Sequence, residues 1–272
     1  MTVKAEELQR KKVRGEKIVV LTCYDYPTAL IEEAAGVDVV FVGDSLGTNV
    51  LGYQDEREVT MEDMLHHLKA VRRGVTSAYL LVDMPYQSCA TPDSALDNAL
   101  RFLSCGADGV KLEGFVPDIA ATLSERQLDV WCHLGLTPQI HESKRLQATS
   151  ADVAVKLIDN ALALEAAGAN FMVIELVPEE VARAATEKLN IPTIGIGAGA
   201  GTDGQVIVVP DLLGMTRMKL RHITPYEEFY RRGVEAVRAY AEDVRAGKFP
   251  GRENSRHLSD EEADAFKRHF TQ

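Results

Sequence analysis

The chain has 272 residues, of which 46% are hydrophobic and 26% charged, so it can bury the core of one large α/β domain or two modest ones. Its apolar runs are short, whereas a membrane span needs roughly 20 consecutive apolar residues, so such a span is excluded. The formal net charge of −11 argues against a nucleic-acid-binding surface, which would need a basic stripe to displace counterions.

The N-terminal segment MTVKAEELQRKK is polar and charged where a secretory signal would need an apolar stretch, so we predict a cytoplasmic location. The cysteines agree with that compartment because they lie far apart, with no C-x-x-C pair. We interpret them as reduced thiols rather than a disulfide framework or a zinc site: Cys23, Cys89, Cys105 and Cys132.

From Ile18 to Val209, short β-branched runs alternate with longer amphipathic stretches, which is typical of βα units around a parallel sheet. Helical patterns such as YPTALIEEAAG, TMEDMLHHLKAVRRG and TPDSALDNALRFLSCG open near Thr or Pro and close on Gly, as capped helices do. The candidate strands begin at Ile18, Asp38, Ala78, Gly109, Asp129, Asn170, Pro192 and Gln205, the last having the weakest pattern.

Eight such units predict an α/β fold of the (β/α)8 TIM barrel class, forming a single domain over residues 1–272. After Pro225 the pattern is helical through Arg245 and then turns polar at GKFPGRENSRH. From about residue 251 we expect a peripheral C-terminal tail, in which SDEEADAFKRHF forms either a short helix or a loosely held segment.

Acidic residues close several of the predicted strands: Asp44, Asp83, Glu113 and Glu175. Because a parallel barrel gathers its chemistry at the carboxyl ends of its strands, these side chains can converge on one pocket. The oxygens of Asp44, Asp83 and Glu113 suit a magnesium-like ion that keeps waters and completes its shell with substrate oxygens. Taken singly, Asp44 or the adjacent Ser45 could instead cap a turn, and Asp83 could be a plain turn residue.

Lys111 and Glu113 lie two apart in the strand GVKLEG, so both side chains point to the face opposite Leu112. One alternative is a structural ion pair that closes a layer of the barrel. We favour a functional role, because burying such a pair costs several kcal/mol unless other groups or a ligand satisfy it.

Three further features are open to two interpretations each. Glu175 precedes the apolar Leu176 and Val177, a setting that suits a carboxylate to proton transfer, although a surface salt bridge is the alternative. His133 ends the strand DVWCHL and could bind substrate or be a satisfied polar residue at the barrel rim. The run GIGAGAG, residues 195–201, lies where many barrels bind phosphate, but glycine also serves close packing.

Several motifs in their order resemble the ketopantoate hydroxymethyltransferase family over nearly the whole chain: TCYDYPTA, VGDSLG, LVDMPY, VKLEG, HLGLTPQ, ALALEAAGA, VIELVP, IPTIGIGAG and KFPG. The resemblance implies a (β/α)8 barrel of the phosphoenolpyruvate-mutase type and a bound Mg²⁺ ion. It also implies a homo-oligomer, which is a decamer in bacterial members.

The resemblance assigns roles to matching positions. The metal ligands would be Asp44, Asp83 and Glu113. The 2-oxo acid would be held by Asp44, Ser45, Asp83 and Lys111. Glu175 matches the family's proton acceptor. In the family, a metal-stabilised enolate of 3-methyl-2-oxobutanoate takes a hydroxymethyl group from 5,10-methylenetetrahydrofolate, giving 2-dehydropantoate for pantothenate synthesis.

Two segments near the expected barrel mouth depart from the family pattern. Residues 53–58 carry extra charges in YQDEREVT, and residues 140–152 lack a glycine pair and a terminal arginine. Because mouth loops select substrates, the alternative function is a related metal-dependent aldolase or lyase that uses another 2-oxo acid or aldehyde. A catalytically silent barrel is a third interpretation, but it predicts loss of charged residues that are all present.

Overall fold

The structure is a computed structural model that describes residues 4–140, 145–216 and 223–270. The strands are β1 (Ile18–Thr22), β2 (Val39–Val42), β3 (Tyr79–Asp83), β4 (Gly109–Glu113), β5 (Asp129–Gly135), β6 (Phe171–Glu175), β7 (Thr193–Ile196) and β8 (Gly204–Ile207). They pair in parallel and in sequence order, and β8 pairs with β1 to close the barrel. The predicted (β/α)8 fold class is confirmed.

The helices are α1 (Ala5–Arg14), α2 (Tyr26–Ala35), α3 (Met61–Arg72), α4 (Pro92–Ser104), α5 (Pro117–Glu125), α6 (Ala151–Ala166), α7 (Glu179–Lys188), α8 (Val209–Leu212), α9 (Phe229–Arg245) and α10 (Asp260–Phe270). The predicted threonine caps are present: the side chain of Thr60 accepts the Asp63 N–H, and that of Thr91 accepts the Ser94 N–H. Helix starts were therefore predictable from local sequence.

The register between neighbouring strands decides which side chains meet at the carboxyl end of the barrel. Asp83 in β3 lies beside Lys111 in β4, and Glu113 in β4 lies beside His133 in β5. Because side chains alternate along a strand, Lys111 and Glu113 share one face. The register therefore assembles charged residues from consecutive strands.

The opposite end of the barrel is closed by α1. Leu8 of this helix is fully buried in the main apolar cluster of the barrel. The largest fully buried side chains of that cluster are Trp131, Tyr79 and Phe171. Lys11 pairs with Asp38 and Lys12 with Asp203, two residues that precede β2 and β8. With α1 covering the amino ends of the strands, the carboxyl ends are available for chemistry.

The glycine-rich run after β7 leads directly to β8. Residues 197–203, all of them described, form turns instead of a helix. Gly199 has a φ of 77°, and a Cβ there would lie 2.5 Å from the Glu179 side chain of α7. The glycines serve close packing against α7, which was one of the two interpretations of this run.

Helix α2 buries a carboxyl group outside the strand-end cluster. Glu32 is 2% exposed, and neither of its carboxyl oxygens has a hydrogen-bond partner among the described residues. The adjacent Cys23 thiol donates to the Asp25 carbonyl at 3.6 Å. Burial therefore raises the Glu32 pKa to about 9.

The chain divides into two compact units, Met1–Leu212 with Met218–Thr224 and Leu213–Arg217 with Pro225–Gln272. The first contains the barrel, and the second contains α9 and α10. The single domain over residues 1–272 with a tail from about residue 251 stays a prediction. Within the described ranges, no helix is both long enough and apolar enough to cross a membrane.

Candidate active site

The predicted acidic residues come together at the carboxyl ends of the strands. Asp44 follows β2, Asp83 ends β3, and Glu113 ends β4 two residues after Lys111. Each of these side chains is buried, with residue exposures between 3% and 8%. The convergence follows from the barrel, whereas the roles assigned to these residues stay predictions.

Asp83 is at the centre of the cluster. Its Oδ1 lies 2.7 Å from the Lys111 ammonium, and its Oδ2 accepts the Asp44 backbone N–H at 3.0 Å. Burial alone would lower the Lys111 pKa, but the surrounding carboxylates outweigh it and raise that pKa above its ordinary value. Lys111 therefore carries a fixed positive charge at neutral pH, 5.6 Å from the centre of the Phe41 ring.

His133 joins this cluster to Glu175. Its Nδ1 lies 3.5 Å from Glu113 Oε2, and its Nε2 lies 3.2 Å from Glu175 Oε2. Burial and the Lys111 charge would lower the His133 pKa, but Glu113 and Glu175 raise it to about 9. The imidazolium thus lies between two carboxylates, and His133 is buried, with an exposure of 3%.

Glu175 itself is placed by the junction of β5 and β6. Its side chain is 18% exposed, so it faces both the cluster and the barrel mouth. Gly135 of β5 lies opposite Glu175, with a φ of 97°, and a Cβ there would come within 2.1 Å of the Glu175 carbonyl oxygen. Leu176, the next residue, adopts a φ of 45°, which is uncommon outside glycine. The backbone around Glu175 is therefore tightly constrained.

Gln139, to which no role was assigned from the sequence, touches two of the predicted metal ligands. Its side-chain Nε2 donates to Asp44 Oδ2 at 2.7 Å, and its backbone N–H donates to Glu113 Oε1 at 2.6 Å. Its place in HLGLTPQ marked it only as part of a family motif. Spacing along the chain could not predict contacts that a loop makes across the barrel.

Tyr24 is a second residue that the sequence did not single out. Its hydroxyl lies 2.8 Å from Ser45 Oγ, while the Tyr24 side chain is buried and Ser45 is half-buried. Burial raises the Tyr24 pKa, so the phenol stays protonated at neutral pH. The pair orients the Ser45 hydroxyl at the mouth.

The segments that depart from the family pattern lie close to these residues. In residues 53–58, Asp55 and Glu58 form a capping box around a single turn at Glu56–Glu58. In residues 140–152, residues 141–144 lie outside the described residues, and the Gln147 N–H donates to the Leu176 carbonyl at 2.8 Å. The described part of this second segment lines a cavity of about 250 Å³ together with Gly114 and Gly135.

The carboxylate cluster has the chemistry of a site for a hard divalent cation. Asp44, Asp83 and Glu113 offer carboxylate oxygens, which are the ligands Mg²⁺ prefers. Burial, and then the charges of Asp83 and Glu113, raise the Asp44 pKa well above its ordinary value, so a further cation would relieve real repulsion. Among the described residues, no three His, Cys, Asp or Glu side chains already stand in a metal-binding arrangement. The residues fit the ion by chemistry and charge.

Two kinds of comparison relate this chain to known proteins. A model of the ketopantoate hydroxymethyltransferase family matches residues 2–252. The 3-methyl-2-oxobutanoate hydroxymethyltransferase of Thermus thermophilus is 46% identical over 252 residues, covering 90% of this chain and 97% of that protein.

Solved structures share the fold at lower identity. A phosphonopyruvate hydrolase in complex with oxalate and Mg²⁺ has a TM-score of 0.63 and 14% identity, covering 100% of both chains. A 2,3-dimethylmalate lyase of the PEP mutase/isocitrate lyase superfamily has a TM-score of 0.58 and 17% identity, covering 99% of this chain and 100% of that one. The match over nearly all of its length shows that this chain belongs to the ketopantoate hydroxymethyltransferase family.

Proposed function

We propose that the protein transfers a hydroxymethyl group from 5,10-methylenetetrahydrofolate to 3-methyl-2-oxobutanoate, giving 2-dehydropantoate, through a metal-stabilised enolate. Family membership supports the overall reaction and its place in pantothenate synthesis. The observation that carries the proposal is one continuous line of contacts from Asp83 through Lys111 to His133 and Glu175. It joins a carboxylate cluster, a fixed cation and a proton acceptor at one barrel mouth.

Substrate binding is the first task of this site. A 2-oxo acid presents a carboxylate and a keto oxygen, and the Lys111 ammonium supplies a positive charge for one of them. The Ser45 hydroxyl, held by Tyr24, offers a further hydrogen bond. Asp44, Asp83 and Glu113 would hold Mg²⁺, which when bound polarises the keto oxygen and stabilises negative charge that develops on the adjacent carbon.

Proton transfer is the second task. Glu175 accepts the proton from the carbon next to the keto group, leaving that carbon nucleophilic towards the one-carbon unit of the folate. The Nε2 of His133 lies 3.2 Å from Glu175 Oε2, so the positive charge of the protonated imidazole is next to the base.

A second candidate function is a related metal-dependent aldolase or lyase acting on another 2-oxo acid or aldehyde. The departures at residues 53–58 and 140–152 favour it, because the second segment lines a cavity beside β4 and β5 and is bonded to the residue after Glu175. Both functions use the same proton-transfer residues and differ in the 2-oxo acid or in the partner electrophile.

Proton exchange separates these possibilities. The protein is incubated with MgCl₂ in deuterium oxide, and exchange of the proton next to the keto group is followed by NMR for a panel of 2-oxo acids. We expect exchange with 3-methyl-2-oxobutanoate, and product on addition of 5,10-methylenetetrahydrofolate. Exchange with another acid alone would support the aldolase or lyase, and exchange with none would support a catalytically silent barrel.

The assembly and location follow from the family in the same way. We propose a homo-oligomer, a decamer as in bacterial members, in the cytoplasm. Light scattering coupled to size-exclusion chromatography measures the oligomeric mass, and a monomer in solution would contradict the proposal.

A further inference from the structure

Gln139 lies in the loop after β5 and forms hydrogen bonds to residues at the carboxyl ends of β2, β3 and β4. The loop leaves β5 at Gly135, and Gln139, near the start of that loop, is 8% exposed. Its Nε2 donates to Asp44 Oδ2 after β2, at 2.7 Å, and to the Met84 carbonyl after β3, at 3.0 Å. Its backbone N–H donates to Glu113 Oε1 at the end of β4, at 2.6 Å.

The orientation of the Gln139 amide is determined by its neighbours. The Met84 carbonyl accepts hydrogen bonds only, so the amide nitrogen, 3.0 Å away, must face it, and Asp44 Oδ2 lies 2.7 Å from the same nitrogen. The two N–H groups of that nitrogen are then both used, one on each acceptor. A side chain with this many buried contacts has little rotational freedom left.

These contacts act on two of the three oxygen donors assigned to the cation. A carboxylate oxygen has two lone pairs, so Asp44 can keep the Gln139 hydrogen bond while it also coordinates an ion. The same holds for Glu113 and the Gln139 backbone N–H. Hydrogen-bonding partners of this kind orient metal ligands, and their loss typically costs about 10- to 100-fold in metal affinity or activity.

We infer that Gln139 is a positioning residue whose side-chain amide presents Asp44 to the divalent cation. This rests on the proposed function, because it assumes that the cation binds these carboxylates. Gln139 need not touch substrate, and its contribution acts through the orientation of the ligands. The inference concerns the side-chain amide, since any substitution except proline retains the backbone N–H that reaches Glu113.

The test is Mn²⁺ binding, measured in the absence of substrate by the EPR signal of the free ion. Gln139→Leu removes both amide donors at similar volume, and Gln139→Met is a second variant should the first fold poorly. Gln205→Leu is the matched control, because its amide donates to Gly199 O at 2.9 Å and Thr202 Oγ1 at 2.8 Å, away from the carboxylate cluster. Circular dichroism melting checks the fold of each variant.

We expect both Gln139 variants to bind Mn²⁺ about 10-fold or more weakly at an unchanged fold, and Gln205→Leu to bind like the wild type. Unchanged affinity in folded Gln139 variants would overturn the inference and leave the proposed function intact. Tighter binding would also overturn it, since Gln139 would then compete with the cation. A wild-type protein that binds no Mn²⁺ would refute the metal site itself, and the inference with it.

Discussion

The buried carboxyl group of Glu32 should make this protein lose stability as the pH rises. In the folded state its pKa is about 9, whereas an unfolded glutamate has a pKa near 4.5. A carboxyl whose pKa is raised by folding destabilises the protein above the unfolded pKa, because the unfolded chain releases a proton that the folded chain retains. The penalty grows from pH 4.5 to pH 9 and is then constant.

The size of the effect follows from this difference in pKa. Each pH unit inside the window costs about 1.4 kcal/mol, so the penalty from Glu32 is about 3 kcal/mol at pH 7. At pH 5 it is about 1 kcal/mol, since the unfolded group is then only partly protonated. The substitution Glu32→Gln replaces the carboxyl group with an amide of the same shape that does not titrate. The free energy of unfolding of the wild type, relative to this variant, should therefore fall by about 2.5 kcal/mol between pH 5 and pH 7.

Urea unfolding of both proteins at pH 5, 6 and 7 measures this difference. Glu33→Gln is the matched control on the same helix. Although burial acts against it, hydrogen bonds from Ser77 and Thr76 hold the Glu33 pKa at about 2, so this group stays ionised in both states over most of the range. Its curve should run nearly parallel to that of the wild type. If the Glu32→Gln curve is parallel as well, Glu32 is ionised in the folded protein and the reasoning from burial is refuted.

Three further predictions concern the candidate active site. Glu175→Gln should reduce the rate of deuterium exchange by about 10²- to 10⁴-fold. Mg²⁺-dependent binding of the 2-oxo acid, measured by calorimetry, should be retained. Undiminished exchange would show that Glu175 is not the base. Lys111→Met leaves the buried Asp83 carboxylate without its cation. It should therefore lower the free energy of unfolding, measured in urea, by about 3–5 kcal/mol. A change below about 1 kcal/mol would show that the pair is not buried in solution. Gly135→Ala should lower the melting temperature more than Gly36→Ala. Both positions have a positive φ, but only at Gly135 does the added Cβ meet a backbone atom, 2.1 Å away. Equal melting temperatures of the two variants would contradict this.

Local sequence was sufficient for the elements of the barrel. The strand expected from Ile18 is β1, and the helix expected from YPTALIEEAAG is α2, because apolar periodicity and capping residues act within a few positions of each other. The weakest predicted strand, from Gln205, is β8, which begins at Gly204. The alternation of side chains along a strand also predicted that Lys111 and Glu113 share one face.

Other features depend on residues far apart in the chain. Gln139 bonds to Asp44 across 95 positions, and His133 bridges Glu113 and Glu175 only because β4, β5 and β6 are neighbours in register. The burial of Glu32, an ordinary helical glutamate by sequence, depends on what packs over α2. Sequence alone determined the periodic elements, the family and the residue types at the strand ends, since these are encoded locally. The tertiary structure decided which charges touch and which are shielded from water, because distances and burial arise only when the barrel closes.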